Sequence, residues 1–489
     1  MEMHHSNNGG RHAAFKQPIL NPMRILLLAL AVTAVVTAVF LAWYMQVRPS
    51  GQQAGAADAQ AQSRGSHKQV NKSKSKVKPA ATHHGNSPDC PDDDCISMLV
   101  NGDLLFHEGL WSQFAKNPTA TDGTAFDFTP LFEPMGKYIQ ASDIAVCEFE
   151  TPIAQRGGPY SAYPIFNIPP EVADAAAKVG YRACTHGTNH SWDQGTEGIN
   201  RLWDTLAADG IAQTGSYKTE EDSKKPLVVD SPTGGGKLAL ITGTVSLNAM
   251  TADHDWQVDR LRESGDPNHQ ADIDKAVAKS RAARAQGADV VAMSMHSLQE
   301  YIDQADSWQV SEAHELADTG AFDVIYGAGC HCAQPIEKYK DTWIIYGLGN
   351  TVTETASLPQ NVVNNQGVTA RVQFAGKKGK PGSWRVNRID WVPTANVQGQ
   401  SYKWCPIAAD HPDGSCWGSD KDAQVRQRIW NVIYSMGADQ NVVREWNITA
   451  ETQAKEQAKA QSGQQAEHQP QAKPKGDASA APKRPAAKR

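Results

Sequence analysis

The sequence predicts an α/β fold, and three observations carry that prediction. Short apolar runs alternate with amphipathic helical stretches between residues 96 and 350. The apolar runs end in Asp, Glu, Asn or His rather than in turn residues alone. One helical stretch, Glu171–Val179, opens directly after Pro169 and Pro170, where a fixed φ suits the first turn of a helix.

Taken in order, strands are expected at Ile96–Val100, Ile144–Cys147, Tyr181–Thr185, Leu238–Thr242, Val290–Met295, Asp323–Tyr326 and Trp343–Tyr346. Helices are expected at Glu171–Val179, Ile199–Ala208, Asp272–Gln286 and Ser311–Thr319. After Val368 the pattern changes. Val368–Phe374 and Trp384–Val392, joined by a Lys/Gly turn, read as an antiparallel hairpin.

The 489 residues do not all belong to this domain. Residues 1–24 read as a polar cytoplasmic tail. Residues 25–45 are apolar and uncharged. At about 1.5 Å per residue they can cross a hydrocarbon core of roughly 30 Å. Arg11, Lys16 and Arg24 precede this run and only Arg48 follows closely, which places the N-terminus in the cytoplasm and the rest outside. A cleaved signal peptide is the alternative, but no small-residue cleavage site follows Tyr44. Residues 46–95, rich in Gln, Ala, Gly, Ser and Lys, read as a disordered stalk, and residues 449–489 as a second disordered tail with room for a helix at its start. The folded domain is expected over 96–448. A net charge of -6 implies no large basic surface for nucleic acid.

Eight cysteines agree with an oxidising compartment. Cys90 with Cys95, and Cys405 with Cys416, bracket turns and read as local disulfides. Cys147 with Cys184 could pair across a sheet, and Cys330 and Cys332 surround His331; for these two pairs, bonded and free thiols both stay open.

The strand ends hold the chemistry. They read Asn101-Gly102-Asp103, Glu148-Phe149-Glu150, His186-Gly187-Thr188-Asn189-His190 with Asp193, His296 with Glu300, Gly329-Cys330-His331, and Gly347-Leu348-Gly349-Asn350. Parallel strands bring such ends to one edge of a sheet. Carboxylate, imidazole and amide together form the ligand set of borderline or hard divalent metals. Each residue also has a plainer reading: Asp103 or Asp193 as a helix cap, Asn189-His190 as a satisfied turn, His296 and His331 as packed core histidines. Glu148 and Glu150 are expected on opposite sides of their strand, so that only one enters the site.

The order of these motifs resembles the calcineurin-like metallophosphoesterases and, more closely, the CapA family of capsule or poly-γ-glutamate synthesis proteins. Gly102-Asp103 resembles the family's opening Gly-Asp, and Glu148-Phe149-Glu150-Thr151-Pro152-Ile153 its Asn-Leu-Glu-Gly-Pro-Ile. Asn189-His190-Ser191-Trp192-Asp193-Gln194-Gly195 resembles its Asn-Asn-His-Ser-x-Asp-x-Gly. Ser294-Met295-His296 through Glu300-Tyr301 resembles its Ser-Leu-His-Trp-Gly-x-Glu-Tyr. His331 with Gln334-Pro335-Ile336-Glu337 resembles its Pro-His-Val-x-Gln-Pro-x-Glu, and Tyr346-Gly347-Leu348-Gly349-Asn350 its Ser-Leu-Gly-Asn. One imidazole is missing: the family carries His-Pro-His where this chain has Gly329-Cys330-His331, which predicts a gap beside His331.

The resemblance implies a layered α-β-β-α sandwich of the metallophosphatase type behind one transmembrane helix. It implies a divalent metal held by Asp103, Glu150, Asn189, His296 and His331, with Glu150 rather than Glu148 entering the site. His190 would be the proton-handling group, with Asp193 and Glu300 next to it. The role implied is synthesis, anchoring or export of an anionic cell-surface polymer, by hydrolysis or transfer at an amide or phosphoester with water as nucleophile. Its partners would be that polymer, the membrane and other capsule-synthesis membrane subunits. A non-enzymatic polymer-binding scaffold and a cell-surface phosphoesterase are the alternatives.

Overall fold

The computed structural model describes residues 90–380, 382–410 and 416–467. The expected cytoplasmic tail at 1–24, the anchor at 25–45 and the expected stalk (46–95) as far as residue 89 lie outside the described residues, whereas the end of that stalk belongs to the domain, since β1 begins at Asp94 and Cys90 is bonded to Cys95. Among the described residues no helix is long and apolar enough to cross a membrane.

Among the described residues, fifteen strands form two sheets. The first runs β14 (Lys403–Pro406), β13 (Arg385–Val397), β12 (Gln366–Gly376), β1 (Asp94–Leu104), β2 (Ile144–Phe149), β3 (Ala183–Thr185), β4 (Ala212–Thr214), with β11 (Asn350–Val352) beside β1 and β15 (Val443–Glu445) beside β13. The second runs β5 (Leu227–Asp230), β6 (Lys237–Thr244), β7 (Val290–His296), β8 (Val324–Ala328), β10 (Thr342–Ile345), β9 (Ile336–Tyr339). Strands β1 to β4 are mutually parallel, as are β6, β7, β8 and β10. The expected hairpin is β12–β13, antiparallel.

The period of two in each strand sorts its side chains between layers. Met98 and Val100 of β1 pack with Leu238 and Leu240 of β6 and with Ala292 and Val324, forming a core between the sheets. Leu99 and Cys147 face the other way, onto α1 (Glu171–Val179) and α2 (Gly195–Ala208) through Val172, Ala176 and Leu202. Ala239 and Ile241 face α3 (His269–Ala285) and α4 (Ser307–Asp318) through Ile273, Ala276 and Leu316. The layers are therefore helix, sheet, sheet, helix.

Helix α1 spans the residues expected of it, with Glu171 and Asp174 in its first turn, Lys178 in its last, and Gly180 at φ +120° ending it, a left-handed conformation that glycine adopts without cost. A helix not expected from sequence, α5 (Ser419–Ile433), buries Val425, Ile429 and Ile433. The C-terminal tail begins as helix α6 (Ile448–Glu467), and its first turn is tied to the sheet. There Glu451 accepts from Arg371 at 2.7 and 3.0 Å, and Arg371 is fully buried and also donates to Asp390 at 2.6 Å.

Cys90–Cys95, Cys147–Cys184 and Cys405–Cys416 are disulfides, the second joining register partners on β2 and β3. Cys330 and Cys332 are free and buried.

Candidate metal centre

The site lies where β1, β2, β3, β7 and β8 end and β11 begins. Strand β1 carries an irregularity between Val100 and Asp103: Val100 pairs with Val146, yet Asp103 pairs with Glu148. One extra residue on β1 switches its facing, as a bulge does, and turns Asp103 to the side of Val100, between the sheets. Gly102 makes this possible, because a Cβ there would sit 1.7 Å from the Gly349 carbonyl oxygen. Asp103 is thus held within a strand and is no helix cap.

Glu148 and Glu150 both enter the site, against the expectation that only one would. Residues two apart on a strand share a face, so Val146, Glu148 and Glu150 continue one row. The three acids and two imidazoles form two trios that share Asp103: Asp103, Glu148 and His296, and Asp103, Glu150 and His331. Within each trio the candidate ligand atoms lie within 4.8 Å of one another. The His296 Nδ1–H donates to Glu148 Oε1 at 2.5 Å, and its Nε2–H to Asn189 Oδ1 at 2.9 Å. His331 Nδ1 lies 3.0 Å from both Asp103 Oδ2 and Asn350 Oδ1.

Electrostatics follow from burial. Desolvation raises the Glu148 carboxyl, with Asp103 adding to it, and pushes Glu150 up to about 8 with the same neighbour. For His296, burial opposes the charge, but the bond to Glu148 and the surrounding carboxylates outweigh it and raise the imidazole to about 9. Burial likewise opposes a charge on His331, and the Glu150 and Asp103 charges overcome it, to about 10. Both imidazoles thus stand in for cations among three buried acids.

The residues fit a divalent metal. Both Glu150 oxygens are buried without any hydrogen-bond partner, an arrangement that costs free energy unless a cation meets them. The donor set of carboxylate, imidazole and amide oxygen suits such an ion.

His190 stands beside the trios. Its Nδ1 lies 2.7 Å from Asp193 Oδ2, which also accepts from the Phe166 amide at 2.8 Å. The Phe166 ring meets the imidazole edge-on at 4.7 Å. Asp193 therefore orients His190 from behind. Glu300 sits in an exposed turn after β7, and its charge acts on His331 and Tyr301. Gln334 and Glu337 lie elsewhere. Gln334 bonds Gln309, Ile302 and Gln304, and Glu337 bonds Tyr346 and the partly exposed His314.

There is no gap at Gly329. Its φ is +81°, and a Cβ there would lie 2.2 Å from the Ser297 carbonyl oxygen and 2.7 Å from His296 Nε2. Its N–H donates to both Asp103 oxygens at 3.1 and 3.2 Å. The close packing of β7 against this loop fills the space where an imidazole was expected.

Two neighbours were not foreseen. Asn248, at φ +51°, places its Nδ2 3.4 Å from both ring nitrogens of His190 and accepts from Asn189 at 3.3 Å. Asn350, expected among the strand-end ligands, does stand beside His331. Burial, with the His331 and His190 charges, lowers His107 to about 4. A polar residue in a long irregular loop gives no periodic signal, and Asn248 lies in one.

Residues 97–355, more than half of the chain, match the profile of a family described as Bacterial capsule synthesis protein PGA_cap. A probable polyglutamine synthesis accessory protein of Mycobacterium tuberculosis is 26% identical over 219 residues, 44% of this chain and 56% of that protein. The PGA biosynthesis protein CapA of Bacillus subtilis is 24% identical over 305 residues, 61% of this chain and 72% of that protein. The capsule biosynthesis protein CapA of Bacillus anthracis is 24% identical over 261 residues, 53% of this chain and 59% of that protein. This chain thus spans little more than half the length of the Mycobacterium and B. anthracis relatives. Among solved structures, the calcineurin-like phosphoesterase YfkN of Bacillus subtilis superposes with a TM-score of 0.36 at 14% identity, over 71% of this chain and 99% of that one, a likeness too low to bear on the fold. The matched span runs from β1 through β11 and contains every acid and imidazole of the two trios, and the chain belongs to the bacterial capsule synthesis protein PGA_cap family.

Proposed function

We propose that this chain is a membrane-anchored, extracytoplasmic CapA-like protein with a metallophosphatase-type sandwich. It acts in the synthesis, anchoring or export of a capsule-type anionic polymer such as poly-γ-glutamate, by metal-assisted hydrolysis or transfer. The observation that carries the reading is Asp103 shared between two buried acid–imidazole trios, with Glu150 left unpartnered. The names of the relatives support the polymer pathway, and the charge asymmetry around residues 25–45 supports the outer location.

Asp103, Glu148 and His296 would hold one divalent ion, and Asp103, Glu150 and His331 a second, with Asn189 and Asn350 offering amide oxygens beside them. Bound there, such ions supply positive charge where an oxyanion develops on an amide or phosphoester. The chain's own residues do the rest. Asp193 accepts from Nδ1–H of His190, which leaves Nε2 as the basic nitrogen and fixes the ring's orientation. Nε2 then takes the proton of the attacking water and passes it to the group leaving the scissile bond. Asn189 and Asn248 hold the loop on which His190 rides.

The test is release of γ-glutamyl fragments from poly-γ-glutamate by the purified full chain loaded with Mn²⁺ or Zn²⁺, beside His190→Ala. Release lost in the variant supports the reading. Metal-loaded protein that binds the polymer but cleaves neither it nor a phosphoester leaves the scaffold alternative standing. For the location, protease added outside intact cells should remove the domain; loss only after permeabilisation refutes the orientation.

A further inference from the structure

We infer that the chain carries a separate divalent-cation site on its outer helical layer, built from His269, Glu312 and Glu315. His269 opens α3, while Glu312 and Glu315 sit three residues apart on α4 and so share a face. One ligand atom from each lies within 4.8 Å of the others.

Two independent observations point to an ion. The first is the imidazole's attachment. Its Nδ1–H donates to the Arg262 carbonyl at 2.6 Å, which points Nε2 at Glu315 Oε2, 3.0 Å away, as the nitrogen that gives up its proton when an ion binds. A ring anchored through one nitrogen on a backbone carbonyl, with the other turned to carboxylates, is how proteins present a histidine to a metal. The second is Glu312. It is only 2% exposed, its Oε1 has no hydrogen-bond partner, and its Oε2 is 3.7 Å from His269 Nδ1, beyond hydrogen-bond reach. A buried carboxylate left in that state is costly unless a cation meets it.

Burial opposes a charge on His269, but the Arg262 carbonyl and the two carboxylates raise its pKa, so the protonated ring holds the place until an ion displaces its proton. Arg262, the nearest guanidinium, is committed to Asp272 and Asp255. One imidazole nitrogen and two carboxylates form a three-ligand set suited to Zn²⁺ or a similar borderline ion, with a fourth position for water. Glu315, its side chain 38% exposed, opens that position to solvent. An ion there staples the start of α3 to α4 over the outer face of the second sheet, where Ile273, Ala313 and Leu316 pack. The site uses no residue of the strand-end trios.

The experiment uses the full chain, stripped with chelator and titrated with Zn²⁺ alone, with zinc counted per chain. The Asp103→Ala chain should still retain one tightly held zinc. Glu315→Gln, at a half-exposed position that tolerates the change, should lose one equivalent relative to the parent chain or hold it at least tenfold more weakly, with polymer cleavage unchanged. His269→Gln should match it. Zinc content and affinity equal in the parent, Glu315→Gln and His269→Gln chains overturn the inference and leave a plain ion-pair cluster, as does an Asp103→Ala chain that holds no zinc.

Discussion

Glu451 ties the C-terminal helix to the sheet, and its removal should weaken the fold in a way that depends on pH. Its carboxylate meets the buried Arg371 guanidinium through two hydrogen bonds and also pairs with Lys455 at 2.9 Å. Burial disfavours its charge, but the Arg371 bonds and charge outweigh this and hold it down to about 2, against an ordinary 4.5. A depression of that size is worth ~3 kcal/mol at 1.36 kcal/mol per pH unit, and solvent access at the edge of α6 reduces it to about 1–2 kcal/mol. In unfolded chains Glu451 takes up its proton first as pH falls. The stabilisation is therefore complete above pH 4.5 and disappears as pH drops toward 2. Urea unfolding of the parent and Glu451→Gln chains at a series of pH values checks this. The gap between them should be about 1–2 kcal/mol at pH 7 and close progressively below pH 4.5. Parallel curves down to pH 2.5 would refute the ion-pair account of how the tail helix is held.

Other perturbations bear on the strand-end site. Gly329→His should lower metal affinity and cost about 2–4 kcal/mol of stability, because the new side chain meets the Ser297 carbonyl and sits at positive φ; thermal melts and metal titration read both, and tighter metal binding would mean that a vacant ligand position exists after all. Asp193→Asn should leave metal content unchanged while slowing polymer cleavage by roughly 10²–10⁴, since His190 loses its orienting acceptor; a matching loss of metal would make Asp193 part of the ligand scaffold instead. Metal binding should release protons below about pH 9, because His296 and His331 are held protonated and must give up a proton to ligate. Calorimetry in two buffers of different ionisation enthalpy should therefore disagree in apparent heat, and affinity should rise from pH 6 to 9; identical heats would contradict the charged state of the pair.

Much of this site was legible because strands of a parallel sheet deliver their C-terminal residues to one edge. Asp103, Glu150, Asn189, His190, His296 and His331 each follow an apolar run, and the structure gathers them from more than two hundred residues of sequence. What escaped reading depended on register and packing. The expectation that only one of Glu148 and Glu150 enters the site fails because residues two apart on a strand share a face. The bulge that turns Asp103 inward is a pairing property of β1 with β2 and has no local signature beyond Gly102. The space at Gly329 is filled by Ser297 and His296, which a motif comparison does not register. Strands β4, β5, β9, β11, β14 and β15 run three or four residues, too short for a period to show. Helix α5 did carry a signal, Val425, Ile429 and Ile433 at helical spacing, inside a segment dominated by charge.

The central claim is that Asp103 is common to two metal positions while Glu148 and Glu150 each serve one. Native mass spectrometry of the Mn²⁺-loaded chain, made in a Glu315→Gln background to remove the helical-layer site, measures this directly. The parent should hold two ions, Glu148→Gln and Glu150→Gln one each, and Asp103→Ala none. An Asp103→Ala chain that binds as many ions as its parent would contradict the account.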